Sequence, residues 1–354
     1  MLDGLIEQLK KPAALTEAQV RQAVERLVEE SVSAETKAAF LTALAQKGET
    51  IEELTAFALA LREKSVQPAL DDATRQGDIL DVCGTGGDRL QTFNISTTVA
   101  LVAAAAGVVV AKHGNRAITS KSGSADVLEA LGIKIDLTPE QASAWLNRHG
   151  FAFFFAQKYH PAFKHISPAR KLCAQQGQRT IFNFLGPLLN PARPTAQLMG
   201  VPIPALCEPM ARVLQSLGVR RGMVVSGYVP VEGRSDPAFL DEFSTLGETT
   251  VAEFYQDRGF NRSEMSPGDF PVRSATLNDL AGGDREENAT LIQHILGGQN
   301  KGPKRDAVLL NAGAALFVAG RVKSMGEGWD LAAETIDGGL AAKKLEELVD
   351  ASRS

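Results

Sequence analysis

The stretch Asp81-Val-Cys-Gly-Thr-Gly-Gly-Asp-Arg-Leu-Gln-Thr-Phe-Asn-Ile-Ser-Thr-Thr98 decides how this chain folds. Ile79, Leu80, Val82 and Cys83 read as the end of a buried strand, and Gly84-Thr-Gly-Gly-Asp88 as a tight turn. Asn94-Ile-Ser-Thr97 then opens an apolar helix running to Ala106. Glycines let backbone N–H groups approach a ligand, and a helix start adds unpaired N–H groups and the positive end of a dipole. Together they form an anion cradle, most often for phosphate. A plain strand-to-helix turn capped by Asn94 would account for the same residues. Neither common glycine motif fits: Arg89 stands where the dinucleotide fingerprint needs glycine, and the Gly-Lys-Ser/Thr of the P-loop is absent. Asp88 would repel a bare phosphate unless it met a sugar hydroxyl or a metal, which points to a sugar phosphate.

Downstream, Val108 to Lys112 reads as a strand, Ser122 to Leu131 as a helix and Lys134 to Leu137 as another strand. Thr138-Pro-Glu-Gln141 is a helix start, with Gly150 as its stop, and Phe151 to Phe155 is a strand. Strands alternating with helices imply a mostly parallel sheet covered on both faces, with ligands outside the carboxyl ends of its strands. Both polar clusters, Gly84–Thr97 and Lys112–Ser124, directly follow strands. In the second, Lys112 and Arg116 bring charge, Gly114 and Gly123 permit close approach, and Ser120, Ser122 and Ser124 offer hydroxyls. An ordinary polar loop is the alternative. His113 suits a catalytic base, a positioning residue or a packed histidine.

Arg170, Lys171 and Arg179 are candidates to face a carboxylate in an apolar pocket, or else solvated surface charges. Val219 to Gly227 reads as a strand leading, through a Pro/Gly-rich loop, to Asp241-Glu242. Adjacent carboxylates in a phosphate-binding chain suggest Mg²⁺, although such pairs are generally solvated. Residues 1–70 read as amphipathic helices with capping boxes at Thr16–Gln19 and Thr50–Glu53 and a cap at Ser33. Ala307 to Ala319 and Asp330 to Val349 read as scaffold helices.

The 354 residues suggest about two domains at a prior of ~150 residues each. A net charge of -5 gives no electrostatic reason to expect nucleic acid or an anionic membrane. Cys83, Cys173 and Cys207 show no metal or redox spacing and read as reduced thiols; with no signal segment evident, the expected compartment is the cytoplasm.

Taken together, Gly84-Thr-Gly-Gly-Asp88, Asn94-Ile-Ser-Thr97, Lys112-His-Gly-Asn-Arg116, Ser122-Gly-Ser124 and Leu185-Gly-Pro-Leu188 closely resemble the anthranilate phosphoribosyltransferases, and the resemblance runs from the helical start through Lys301-Gly-Pro-Lys-Arg-Asp-Ala-Val-Leu-Leu-Asn311. The resemblance implies a small helical domain, residues 1–72, with part of about 160–192 packing on it. It implies a larger α/β domain, 73–354, of the nucleoside phosphorylase/phosphoribosyltransferase type, and a homodimer. The implied reaction joins anthranilate to phosphoribosyl pyrophosphate in tryptophan biosynthesis. Gly84, Gly87, Asp88, Thr92, Asn94, Ile95, Ser96 and Thr97 would hold phosphoribosyl pyrophosphate, completed by Lys112, His113, Gly114, Asn115, Arg116, Ser120 and Ser124. Ser96, Asp241 and Glu242 would bind Mg²⁺, and Gly84, Asn115 and Arg170 would bind anthranilate. No strong general base is implied. Arg89, residues 172–176 and residues 228–238 depart from the family pattern and bear on substrate preference. A nucleoside phosphorylase of the same fold, or a non-catalytic nucleic-acid-binding relative, are the rival readings.

Overall fold

A computed structural model describes residues 2–353 apart from 118–120, 232, 234, 235, 257 and 258. Eight strands form one sheet: β1 (Ile79–Gly84), β2 (Val109–Gly114), β3 (Phe151–Phe155), β4 (Ala196–Gly200), β5 (Arg221–Val229), β6 (Ala238–Leu240), β7 (Thr249–Tyr255) and β8 (Asn261–Met265). They lie in the order β3-β2-β1-β4-β5-β7-β8, with β6 pairing beside β5. The pairs from β3 through β5 are parallel, whereas β6, β7 and β8 join antiparallel. The sheet is therefore mostly parallel, and β1, with its glycine turn, is the central strand of the parallel part.

One face packs against the helices Ile95–Ala105 and Pro303–Val318, which are buried nearly all round and apolar over most of their length. On the other face Met199, Val224 and Phe254 share a core with the helix Cys207–Ser216 and the N-terminal helices Glu17–Val28, Ala34–Lys47 and Ile51–Glu63. The small helical layer begins as its sequence suggests. The Thr16–Gln19 and Thr50–Glu53 capping boxes both form, and Ser33 accepts from the Thr36 N–H. The helix Ser167–Gln175 packs on Ala34–Lys47, so the 172–176 departure is the last turn of a helix, with Cys173 buried in the shared core.

Three expectations need correction. Lys134–Leu137 is not a strand. Ile133, Ile135 and Leu137 are buried alternately, as in a strand, but no neighbouring backbone pairs with them. The Lys134 N–H donates to Ser352 Oγ, while the Asp136 and Leu137 carbonyls accept from Lys158 and Tyr159. Asp330–Val349 is two helices, Met325–Asp337 and Leu340–Ser352, broken at Gly338-Gly339, where Gly339 has φ +77°. Asn94 does not cap its helix: its Nδ2 donates to the Ser122 carbonyl (3.1 Å) and its Oδ1 accepts from Asn288 (3.0 Å). Among the described residues no helix is long and apolar enough to cross a membrane.

Candidate active site

Gly86 and Gly87 turn the chain off β1 at φ +75° and +89°, and the Asp88 carboxylate accepts from the Leu90 N–H (3.1 Å) to close the turn. Arg89 (φ +61°) and Gln91 (φ +54°) continue in the left-handed region, which side chains enter at a cost. Thr92 bridges to Ala281, and the loop delivers Ile95 to the helix start.

Over this loop lies the acid pair. The Gly86 N–H donates to Asp241 Oδ2 (2.7 Å) and the Ser96 N–H to Glu242 Oε1 (3.1 Å). The segment is laid directly on the strand ends. A Cβ on Gly84 would fall 2.0 Å from Asp241 Oδ2, and one on Gly200 would fall 1.5 Å from the Asp241 carbonyl oxygen. Tyr228 and Val229 pair with Phe239 and Ala238, and β6 ends at Leu240, so the described ends of the 228–238 departure belong to the β5–β6 ladder that leads into the acid pair. The expected gathering of Ser96, Asp241 and Glu242 is present.

Electrostatically this corner is overloaded with negative charge. Burial, with Asp88 nearby, pushes the Asp241 carboxyl up to about 7; burial, with Asp241 adjacent, pushes Glu242 up to about 8. Lys112 offsets part of it. Its ammonium donates to the Val82 carbonyl (2.7 Å) and reaches Ser96 Oγ (3.4 Å), and burial pulls its pKa down against the pull of Asp81. Among the described residues no three His, Cys, Asp or Glu side chains could hold a metal together. Two carboxylates with raised pKa beside a phosphate cradle fit Mg²⁺ that takes its remaining ligands from substrate and water.

In the second cluster, Arg116 is already engaged, to Asp126 (3.0 Å) and Glu129 (2.9 Å). Asp126 also accepts from the Ala117 and Gly123 N–H groups, both at 2.9 Å, so Arg116 helps hold the loop shut on the helix Ser124–Ala130. Ser124 Oγ donates to the Asn115 carbonyl (3.3 Å) and lies where a Cβ on Gly114 would be, 2.1 Å away. Ser120 lies outside the described residues.

His113 is buried, its ring set edge-on to His160 at 5.2 Å. Burial drives His113 well below the usual histidine range and His160 down to about 4. A nitrogen this averse to a proton is a poor base, which favours the packed-residue reading. The ring contacts continue from His160 to Phe163 (5.2 Å), Phe163 to Phe182 (5.6 Å) and Phe182 to the Arg170 guanidinium (5.2 Å). Arg170 is half-buried, its pKa lowered by burial, and among the described residues no carboxylate pairs with it. Lys171 and Arg179 are exposed.

Sequence reasoning missed what lies beneath. Asp81, fully buried, accepts from the His113 N–H (3.3 Å) and from Asn190 Nδ2 (2.9 Å), and Asn190 also donates to the Ala111 carbonyl (2.7 Å). This ties β1, β2 and the turn after Leu185-Gly-Pro-Leu188 together. An acid inside an apolar strand was the available signal. Strand β4 and its terminal Gly200 were missed too.

The residues 76–342 match the "Glycosyl transferase family, a/b domain", and residues 4–65 its "helical bundle domain". The chain is 46% identical to the anthranilate phosphoribosyltransferase of Petrotoga mobilis, over 99% of this chain and 96% of that protein. It is similar to the crystal structure of anthranilate phosphoribosyltransferase from Thermus thermophilus, with 40% identity, a TM-score of 0.87 and 99% of each chain covered. It is also similar to the Saccharomyces cerevisiae anthranilate phosphoribosyltransferase solved in complex with PRPP and Mg, with 26% identity and a TM-score of 0.87. That likeness covers 99% of this chain and 98% of that one.

Proposed function

The chain belongs to the anthranilate phosphoribosyltransferases, and from that premise we propose how its own residues carry out the transfer. The enzyme moves the phosphoribosyl group of phosphoribosyl pyrophosphate onto the amine of anthranilate, giving N-(5-phosphoribosyl)anthranilate and pyrophosphate in tryptophan biosynthesis. The observation that carries the residue assignment is the pairing of a glycine-turn cradle with Asp241 and Glu242, through the Gly86 and Ser96 N–H groups.

In this reading Gly84, Gly87, Asp88, Thr92 and Asn94 to Thr97 take the phosphoribosyl pyrophosphate, with Asp88 toward its hydroxyls. Lys112, His113, Gly114, Asn115, Arg116, Ser120 and Ser124 complete the site, Arg116 by fixing the loop. Ser96, Asp241 and Glu242 would hold Mg²⁺, which when bound supplies positive charge to the departing pyrophosphate. Gly84 and Asn115 border the anthranilate, and Arg170 faces its carboxylate with a guanidinium that no acid among the described residues neutralises. The aromatic run from His160 to Phe182 supplies the apolar wall. An arylamine is already a competent nucleophile, so the protein's task is to hold amine and anomeric carbon in line and to stabilise the leaving charge. No side chain is needed as a strong base.

We further propose a homodimer, supported by the small helical layer, and a cytoplasmic location, supported by three free, buried cysteines. The decisive experiment is the decay of anthranilate fluorescence with phosphoribosyl pyrophosphate and Mg²⁺, repeated with EDTA. Metal-dependent decay is expected. Decay that persists in EDTA would remove Mg²⁺ from the scheme, and no decay by a folded protein that binds phosphoribosyl pyrophosphate would point to another acceptor.

A further inference from the structure

The acid pair lies in irregular backbone, and its anchor is a residue to which the resemblance assigns no role. The β5–β6 ladder ends at Leu240, so Phe243, immediately after Glu242, has no strand to receive its N–H and carbonyl. Both are buried, and buried backbone groups require partners. Asn311, in the middle of the helix Pro303–Val318 and itself fully buried, supplies them. The Phe243 N–H donates to Asn311 Oδ1 (2.9 Å), and Asn311 Nδ2 donates to the Phe243 carbonyl (3.1 Å). The second Nδ2 proton goes to the Ala307 carbonyl one turn back (2.9 Å). The side-chain amide thus acts as the peptide group of a missing strand.

We propose that Asn311 is a positioning residue for the metal-binding acid pair. This rests on the Mg²⁺ assignment made above. Three partners fix the amide's orientation: one backbone donor on its oxygen side and two carbonyls on its nitrogen side. Aspartate would turn an oxygen toward two carbonyl oxygens, and leucine would keep the volume while satisfying neither group. Glutamine is one methylene too long for a packed helix face. Asparagine is therefore the side chain that this geometry accepts. With Phe243 clamped from below and Gly200 and Gly84 backing Asp241, the two carboxylates have little freedom to move away from the cradle. Outer-shell partners of this kind typically contribute on the order of 10–100-fold in metal affinity.

The test uses Asn311→Leu and, as a smaller replacement that leaves room for water, Asn311→Ser. Mn²⁺ serves as the probe, its binding in the presence of phosphoribosyl pyrophosphate followed by electron paramagnetic resonance, with the ligand-free thermal midpoint recorded alongside. Weaker Mn²⁺ binding, by about 10–100-fold, is expected in both variants, with the KM for anthranilate unchanged at saturating metal. Variants that fold and bind Mn²⁺ as the wild type does would overturn the proposal, as would a failure of both to fold, which would make Asn311 a scaffold residue. A wild-type protein that binds no Mn²⁺ would instead bring down the metal assignment itself.

Discussion

The Asp241 carboxylate sits on the Gly86 N–H at 2.7 Å, inside the cradle that a phosphate would fill. Glu242 does the same to the first free N–H of the helix Ile95–Ala105, at Ser96. On the proposed assignment, the site's own acids occupy donors that the substrate's oxygens would use, and in their ionised form they repel that substrate until a cation intervenes.

It follows that Asp241→Ala should affect the two halves of binding in opposite directions. In EDTA, calorimetry should find phosphoribosyl pyrophosphate bound more tightly than by the wild type, by about tenfold or more, since one freed charged hydrogen bond corresponds to about 1.5 kcal/mol or more. Turnover with Mg²⁺ should collapse. Equal or weaker metal-free binding would mean that the carboxylate does not compete with substrate.

Arg170→Ala should raise the KM for anthranilate by about 10–100-fold, the loss of a charge-assisted hydrogen bond of ~1.5–3 kcal/mol. The KM for phosphoribosyl pyrophosphate should hardly move. A parallel rise in both would show that Arg170 supports the loop rather than the carboxylate.

Much of this was legible in the chain because the signals were local. The glycine turn, the Thr-Pro-Glu-Gln helix start and the five-residue Phe151–Phe155 strand each depend on neighbours in sequence. The pairing of residues 241 and 242 with the loop at residue 86 was within reach for a chemical reason: a polyanion needs a metal, and a metal needs acids. Lys134–Leu137 misled because alternation reports burial on one side, whereas a strand also needs a backbone neighbour. Asn311 was invisible as a site residue, since what it binds is backbone of a remote segment, and backbone leaves no mark in the sequence; Asp81 left a signal, an acid inside an apolar strand, but not the identity of its partners. The antiparallel strands β6 to β8 extend the sheet past its parallel half, where helix–strand alternation gives no guide.

Arg89→Gly tests the strain in the loop. A non-glycine residue in the left-handed region costs on the order of 1–3 kcal/mol, and glycine returns part of that gain through its larger unfolded-state freedom. Thermal unfolding should show a midpoint equal to or slightly above the wild type. A clear drop would mean that the Arg89 side chain makes a stabilising contact that outweighs its backbone.

The buried histidines make stability depend on pH. His160 ordinarily titrates near 6.5 but is held down to about 4 in the fold. The unfolded chain thus takes up the proton first, and this contribution is lost as pH falls from about 6.5 toward 4, by on the order of 3 kcal/mol. Asp81 acts in the other direction: burial raises its carboxyl to about 6, so acidification favours the folded form there. The comparison that isolates the histidine is His160→Phe against wild type, by denaturant unfolding between pH 7 and about 4.5. The variant should lose less stability over that span. Equal slopes would place the titration elsewhere.

Gly200→Ala asks whether the acid pair has any slack. Gly200 ends β4, and its Cα faces the Asp241 backbone so closely that a methyl group would sit 1.5 Å from the carbonyl oxygen. The Thr85 N–H also donates to the Gly200 carbonyl (3.0 Å), so the same residue anchors the glycine turn. The methyl cannot be absorbed by a side-chain rotation, because what it meets is main chain. Either the 241–243 segment lifts, straining the Asn311–Phe243 hydrogen bonds, or β4 withdraws from β1 and takes the turn with it. Both move the carboxylates relative to the cradle, and a displacement of about 1 Å at a reacting centre costs on the order of 100-fold in rate. The expected result is a folded protein, destabilised by about 1–3 kcal/mol, with kcat down by that order and the Mg²⁺ requirement raised. If instead kcat and metal dependence stay at wild-type values, the contact between Gly200 and Asp241 is looser in solution, and the cradle does not depend on it.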